Sequence, residues 1–298
     1  MNSHNFIINL YYLHLYIFFM IIWLASYPKS GNTWLRSIIC SILYSENGLF
    51  QFELLEKIKQ FPSQDAFKDF TSEFNNINEI KKFWILAQEK INLNNEINFL
   101  KTHHINCKIE NYSFTNKSNT LATIYIVRDP RNLVNSISNH FSKSIEDSKN
   151  FLFEKKMLGT KEISFDDNDI YTLLGSWSDH YNYWTSKTEN LLVLRYEDLV
   201  QNIEEEFDKI TFFLKKYVTF EIDDLKKKNI INSTSFNNLQ SMEEKGFFKE
   251  NVFDKEKFKK KQFFYKGPQN NWQNNLDDNI RKEIEEKFYK EMKKLNYI

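Results

Sequence analysis

The stretch IIWLASYPKSGNTWLRSII, residues 21–39, decides the fold of this chain. Its first residues form an apolar run that suits a buried strand, Pro28 and Gly31 mark a turn, and helical apolar spacing follows. A loop between a strand and a helix N-terminus can wrap an anion, because the backbone N–H groups there lack intrahelical partners and the helix dipole adds positive charge. We therefore expect Lys29 to meet an anion held in this loop.

Three other residues of the loop suit the same role. Gly31 would let the backbone approach the ligand, and Ser30 and Thr33 would add hydroxyl donors. The alternative is an ordinary strand, turn and helix with a solvent-exposed Lys29. The loop also differs from the Walker pattern GxxxxGK[ST], because that pattern places its lysine after the second glycine and Lys29 precedes Gly31.

The composition sets limits on the class of protein. With 298 residues, of which 41% are hydrophobic and 27% charged, the chain is long enough to bury a large α/β core. The 40 basic and 40 acidic residues cancel, so the overall charge gives no reason to expect nucleic acid or an anionic membrane as a partner. Any anion-binding site must be local.

The two cysteines, Cys40 and Cys107, have no metal-type spacing and do not indicate a disulfide scaffold. They suit a reducing compartment, and we predict a cytoplasmic protein.

The N-terminal apolar segment raises the question of a membrane anchor. Residues 6–25 are almost uncharged and close to the roughly 20 residues of a membrane span. The segment lacks a basic flank and a cleavage site, and if residues 20–25 belong to a strand, only about 14 apolar residues remain upstream. We predict that residues 1–19 are a non-native extension or a disordered apolar tail, and that residues 20–298 form one domain. A membrane anchor is the alternative.

Apolar periodicity in the remainder predicts alternating strands and helices. The predicted buried parallel strands are residues 21–26, 98–102, 121–127 and 190–195. The predicted helices are residues 33–44, 132–141 and 170–187, with a terminal helix whose apolar stripe runs from Ile280 to Leu295. We expect residues 61–94 and 245–261 to be the most mobile segments.

Several motifs in sequence order resemble those of the cytosolic-type sulfotransferase family. YPKSGNTW, residues 27–34, resembles the family's loop for the 5′-phosphosulfate of the donor 3′-phosphoadenosine 5′-phosphosulfate (PAPS). The other matching segments are IYIVRDPRNLVNSISNHF (124–141) for the 3′-phosphate, FLKTHH (99–104) for the catalytic base, LRYEDL (194–199), STSFNNL (233–239) and the closing motif FYKGPQNNWQNNL (264–276).

The resemblance implies a P-loop-NTPase-like three-layer sandwich, with a central, mostly parallel sheet flanked by helices. It implies a PAPS-dependent transferase that uses no metal and moves a sulfuryl group to a hydroxyl or amine. The acceptor would be a small molecule, a glycan or a lipid. We expect no nucleic acid partner and no membrane association. The chain could form a homodimer.

The resemblance also implies roles for particular residues. Lys29 would stabilise the leaving phosphate, and His103 would be the catalytic base, with His104 as its rival because neighbouring strand residues face opposite ways. Arg128 and Ser136 would bind the 3′-phosphate. The implied donor site as a whole comprises Lys29, Ser30, Gly31, Asn32, Thr33, Trp34, Arg128, Ser136, Tyr196, Phe236, Lys266 and Gly267.

The closing motif departs from the family pattern. Tyr265 stands where the family usually carries arginine, and Asn270 and Asn271 stand where Gly-Asp is common. Loss of that arginine would weaken donor binding unless a nearby lysine such as Lys261 compensates.

Three other functions remain open from the sequence. They are a P-loop kinase, a donor-binding protein without turnover, and a membrane-anchored Golgi-type enzyme.

Overall fold

The structure is a computed structural model that describes residues 20–158, 170–248, 250, 253–254 and 259–298. The predicted extension at residues 1–19 lies outside the described residues, as does part of the segment 245–261. The strands are β1 (Ile21–Ser26), β2 (Lys59–Gln60), β3 (Asn98–Thr102), β4 (Lys108–Ile109), β5 (Tyr112–Ser113), β6 (Thr120–Val127), β7 (Lys156–Leu158), β8 (Thr172–Gly175), β9 (Leu191–Arg195), β10 (Phe253–Asp254) and β11 (Lys259–Lys260).

Helices fill most of the intervals between these strands. They are α1 (Asn32–Tyr44), α2 (Gln64–Phe67), α3 (Ile77–Ile80), α4 (Trp84–Asn92), α5 (Pro130–Phe141), α6 (Ile145–Phe153), α7 (Trp177–Lys187), α8 (Tyr196–Gln201), α9 (Ile203–Leu214), α10 (Asp224–Ser233), α11 (Phe236–Glu244), α12 (Trp272–Asn275), α13 (Asp278–Lys287) and α14 (Tyr289–Lys294). Short 3₁₀ helices cover Phe52–Lys57, Lys81–Phe83 and Gly267–Gln269.

The central sheet has five parallel strands in the order β2-β3-β1-β6-β9. Every residue of β1 is buried, because hydrophobic clusters cover both faces of the sheet. Ala25 lies opposite Thr102 on one side and Tyr125 on the other, so β1, β3 and β6 end at the same edge. The predicted α/β sandwich with its mostly parallel sheet is confirmed, and residues that follow these three strands meet at one edge.

The predicted helix at residues 170–187 is wrong in its first part. Residues Thr172–Gly175 form a strand antiparallel to β7, and the helix begins only at Trp177. Gly175 has a φ of 68°, which breaks regular structure, and Ser176 and Asp179 form a reciprocal capping box at the new helix start. The spacing of Tyr171 and Leu174 upstream of Ser176 therefore resembles that of a helix that the chain does not form.

The prediction of mobility at residues 61–94 is not supported by the packing. This segment carries α2, α3 and α4, and Phe61, Phe67 and Trp84 are fully buried in the core. The C-terminal stripe is divided between α13 and α14, but its residues Ile284, Phe288 and Met292 do pack on that core as expected.

In the part of the chain that the structure describes, none of the helices has the length and apolar character needed to cross a bilayer.

Candidate active site

The loop between β1 and α1 takes an unusual backbone course. Lys29 has a φ of 67° and Gly31 a φ of 102°, and Gly31 is the residue from which α1 starts. A Cβ atom on Gly31 would lie 2.6 Å from Tyr196 Cδ2 and 3.1 Å from Ile126 Cδ1, so no side chain fits there without movement of the neighbours. No side chain of the described residues caps α1, which leaves its first N–H groups to bind a ligand.

The first turn of α1 is fastened to the end of β1. Asn32 Nδ2 donates to the Leu24 carbonyl at 2.9 Å and to Ser26 Oγ at 3.1 Å. Ser30 Oγ is buried with no hydrogen-bond partner among the described residues. The uncapped N–H groups of this turn are the kind of donors that a phosphate or sulfate oxygen needs.

A cavity of about 1060 Å³ opens at the edge of the sheet where β1, β3 and β6 end. This volume lies at the upper end of the range for ligand sites, roughly 300–1,000 Å³, so a nucleotide and a second molecule can be accommodated together. The sequence-predicted residues on its wall are Lys29, Gly31, Asn32, Thr33, Trp34, His103, Arg128, Ser136, Tyr196, Phe236, Lys266 and Gly267. Ser30 is the exception, because it is fully buried below the loop.

Lys29 directs its ammonium group over the ring of Phe263, with Nζ 3.6 Å from the ring centroid. Burial lowers the pKa of Lys29 to about 7, and the Arg128 guanidinium adds to this effect. An anion placed beside Nζ would favour the charged form and raise that pKa again. The lysine is therefore only partly exposed, and it has no ion-pair partner among the residues that the structure describes.

Arg128 joins three segments of the site. Its Nη1 donates to the Lys29 carbonyl and to Ser136 Oγ, both at 3.2 Å, and its Nη2 donates to the Gly267 carbonyl at 3.3 Å. The guanidinium lies 4.1 Å from the centre of the Tyr196 ring, and Nε has no partner among the described residues. Arg128 thus retains an unused donor in a pocket that it shares with the hydroxyl of Ser136.

The closing motif lies against this arginine. Gly267 has a φ of 48°, and a Cβ atom there would lie 2.2 Å from the Phe236 ring, so glycine allows the ring to pack on the main chain. Asn270 Nδ2 donates to the Asn132 carbonyl at 2.7 Å and lies 3.4 Å from Ser136 Oγ. Asn270 therefore fixes this segment against α5.

Lys261, the lysine expected to compensate for the missing family arginine, lies at the end of α5. Its Nζ contacts the carbonyl of Asn139 and the hydroxyl of Ser142 at the end of α5, and it is not among the described residues of the cavity wall. Tyr265 lines the cavity and is 46% exposed. Lys266 also lines it, with Nζ 3.3 Å from Asn275 Oδ1.

The two adjacent histidines occupy different environments. His104 is fully buried, stacks on Phe114 with ring centroids 4.1 Å apart, and belongs to the core. His103 lies on the cavity wall, and its Nδ1 is 2.8 Å from the Ser26 carbonyl. A carbonyl only accepts hydrogen bonds, so Nδ1 carries the proton in the neutral ring and Nε2 is the basic nitrogen. Burial, with the charge of Lys101, lowers the pKa of His103 to about 3 and keeps it neutral near pH 7.

The sequence analysis missed a charged cluster beside His103. Glu250 pairs with Arg36 at 2.9 Å and with Lys101 at 3.7 Å, and all three line the cavity. Burial lowers the pKa of Lys101, and the positive charges of Lys101 and Arg36 hold the pKa of Glu250 at about 2. The i, i+2 spacing of Lys101 and His103 on a strand was a signal that both face the same way, but Arg36 and Glu250 are too far apart in sequence to be paired by inspection.

The stability of this protein is expected to fall as the pH is lowered from 6.5 towards 5. Burial lowers the pKa of His103, His104 and His180 to about 3 and that of His140 well below its ordinary value. Between these values and the unfolded value near 6.5, the unfolded chain binds more protons. Each histidine then removes up to about 1.4 kcal/mol per pH unit from the free energy of unfolding.

Urea unfolding midpoints across this range would check the slope. Burial raises the pKa of the Glu197 and Glu243 carboxyls, and this acts against the slope, because such carboxyls bind protons more readily in the folded chain. The four histidines outnumber these two groups. A His104→Gln variant should show a shallower slope, because one buried imidazole is gone. Unchanged stability down to about pH 5 would contradict the expected burial of these rings.

Among the described residues, no group of three or more His, Cys, Asp or Glu side chains is arranged to hold a metal ion. The expectation that the reaction uses no metal stays a prediction. Cys40 is buried and Cys107 half-buried, and neither is in a disulfide.

A parallel sheet, an uncapped helix start after its first strand and a histidine on the cavity wall at the same edge are features of a P-loop-like α/β protein. The family model described as "Sulfotransferase domain" matches residues 21–296. The chain belongs to this family and is a sulfotransferase.

Similar proteins carry related names. Sulfotransferase 1E1 of Rattus norvegicus is 27% identical over 277 residues, which cover 90% of this chain and 82% of the relative. The 3-alpha-hydroxysteroid sulfotransferase of Cavia porcellus is 27% identical over 225 residues, covering 75% and 67%. Sulfotransferase 2A1 of Homo sapiens is 26% identical over 272 residues, covering 90% and 83%.

Two solved structures share the fold. Mouse sulfotransferase SULT7A1 complexed with PAP has a TM-score of 0.55 and 19% identity, covering 91% of this chain and 84% of that one. Retinol dehydratase in a complex with retinol and PAP has a TM-score of 0.59 and 17% identity, covering 94% and 84%. These likenesses agree with the predicted P-loop-NTPase-like architecture.

Proposed function

We propose that this enzyme transfers the sulfuryl group of PAPS to the hydroxyl of a small apolar acceptor, with His103 as base and Lys29 stabilising the leaving phosphate. One observation carries the proposal: Lys29, Arg128 and His103, which come from three different loops, line the same cavity. The uncapped N–H groups at the start of α1 and the guanidinium of Arg128 on the cavity wall suit the oxyanions of the donor.

The residues have separate tasks in the transfer. His103 Nε2 takes the acceptor proton while the acceptor oxygen bonds to sulfur and the S–O bond to the 5′-phosphate breaks. Lys29 and the N–H groups of the loop stabilise the negative charge that gathers on the departing phosphate. Arg128 and Ser136 hold the 3′-phosphate, and Trp34 and Phe236 offer flat apolar surfaces for the adenine.

Four apolar residues on the cavity wall support an apolar acceptor. Phe74, Phe141, Leu158 and Ile170 line the cavity, and all four are packed against the hydrophobic core. One relative is named for a hydroxysteroid, and one structural neighbour is described with bound retinol. These features favour an aliphatic alcohol or a phenol over a glycan.

Calorimetric titration of the full chain with 3′-phosphoadenosine 5′-phosphate (PAP) tests the donor site. ATP with Mg²⁺ and adenosine 5′-phosphosulfate serve as competitors, and PAP should bind more tightly than either. Release of PAP from PAPS with a panel of aliphatic alcohols and phenols then measures turnover. Preference for ATP with Mg²⁺ would overturn the proposal in favour of a kinase.

An Arg128→Gln variant should bind PAP about 10- to 100-fold more weakly, because a charge-assisted contact of roughly 1.5–3 kcal/mol is removed. Adenosine 5′-monophosphate, which lacks the 3′-phosphate, should bind both proteins with similar affinity. The matched control is Arg281→Gln, because Arg281 pairs with Asp278 and Glu285 on α13. Equal losses for both nucleotides would contradict the role in recognising the 3′-phosphate.

A further inference from the structure

The main chain at His103 and His104 lies beyond the last pair of the central sheet. The pairing of β1 with β3 ends at Ala25 and Thr102. The two carbonyl groups that follow are instead bound by side chains of α7. His180 Nε2 lies 3.0 Å from the His103 carbonyl, and Trp184 Nε1 donates to the His104 carbonyl at 2.9 Å.

These two side chains are one helical turn apart, so they face the same way from α7. Both are fully buried, with no exposed surface. Successive carbonyls of the strand end are therefore held by successive turns of one rigid helix. A buried hydrogen bond in this position restricts the main chain as a neighbouring strand would.

The tautomer of His180 follows from its partners. The His103 carbonyl can only accept, so Nε2 of His180 must carry the proton. The neutral ring then has its lone pair on Nδ1, which lies 2.8 Å from the hydroxyl of Tyr125. Tyr125 must donate to it. Burial lowers the pKa of His180 to about 3, which is consistent with a neutral ring.

We infer that His180, oriented by Tyr125, is a positioning residue that fixes the main chain of His103 and so aims His103 Nε2 at the acceptor. The inference rests on the proposed role of His103 as base. His180 itself lies behind the strand end, and it acts through the His103 carbonyl. A displacement of the base by about 1 Å costs on the order of 100-fold in rate, so loss of this hydrogen bond should be visible in turnover.

The test compares His180→Leu with His180→Gln. The leucine variant loses the donor, and kcat should fall about 10- to 100-fold, with the Kd for PAP and the acceptor KM changed by less than about 3-fold. The glutamine variant keeps a side-chain N–H, and it should recover most of the lost rate. Trp177→Phe is the packing control, because Trp177 is an equally buried residue of α7 that packs on Tyr181 and Phe288.

A Tyr125→Phe variant tests the same inference with a smaller change, should the leucine variant not fold. It removes the hydroxyl that donates to His180 Nδ1, so in ¹H–¹⁵N spectra the Nδ1 signal should shift while the Nε2–H tautomer is kept, and kcat should fall less than in His180→Leu. A parent protein in which His180 carries its proton on Nδ1 would overturn the inference. Full activity in His180→Leu would do the same, as would equal losses of kcat and PAP affinity.

Failure of this inference can be separated from failure of the proposed function. If His103→Asn remains active, the assignment of the base is wrong. If His103→Asn is inactive while His180→Leu is fully active, the base is correct and His180 does not position it.

Discussion

Replacement of His103 by asparagine is expected to lower kcat by about 10²- to 10⁴-fold, the range for loss of a positioned general base. Asparagine can keep the contact with the Ser26 carbonyl through its amide, but it has no basic nitrogen to accept the acceptor proton. The Kd for PAP should change by less than about 3-fold, because the base contacts the acceptor and not the donor phosphates. Turnover with the alcohol and phenol panel, and calorimetry with PAP, would measure the two quantities.

His104→Gln is the matched control for this variant. The His104 ring is packed between Phe114 and Trp84 in the core, away from the cavity wall. The control should lose stability and keep its kcat. If His104→Gln were inactive and His103→Asn active, the two histidines would have to exchange roles.

Replacement of Lys29 by alanine is expected to lower kcat by about 10²- to 10³-fold, the cost of removing one group that stabilises charge in a transition state. The Kd for PAP should rise by only about tenfold, the effect expected if the ammonium also contacts the 5′-phosphate in the bound state, as proposed. The kcat effect exceeds the binding effect because negative charge on the phosphate increases as the S–O bond breaks.

Lys82→Ala is a suitable control for the Lys29 variant. Lys82 is an exposed lysine paired with Glu79, and its loss should leave both kcat and the Kd for PAP unchanged. Full turnover in the Lys29→Ala variant would contradict the proposal that Lys29 stabilises the leaving phosphate. A loss of PAP binding that equals the loss of kcat would show that Lys29 serves binding alone.

The first strand and the first helix could be predicted from neighbouring residues alone. The buried run at residues 21–26 and the helix start after Gly31 were predicted because uninterrupted apolar residues, a turn and helical spacing follow one another. The error at residues 170–175 arose because Tyr171, Leu174 and Trp177 have helical spacing, whereas the positive φ of Gly175 is a tertiary property.

The site could be predicted only in part. The alternation of side chains along a strand predicts that only one of His103 and His104 faces the cavity. It does not predict which one, because that depends on where the strand ends and on the stacking of His104 with Phe114. The pairing of Arg36 with Glu250 joins residues 214 positions apart and leaves no local pattern. Such long-range contacts form only once the chain has folded, so they cannot be predicted from neighbouring residues.

The three contacts of Arg128 have a consequence for the synthesis of this protein. They tie together main chain or side chain at Lys29, Ser136 and Gly267, which span most of the length of the chain. During synthesis the first strand and its loop leave the ribosome early, but the pocket proposed for the 3′-phosphate is incomplete until Gly267 has emerged. A chain truncated before that glycine should therefore lack this pocket even if its sheet has formed.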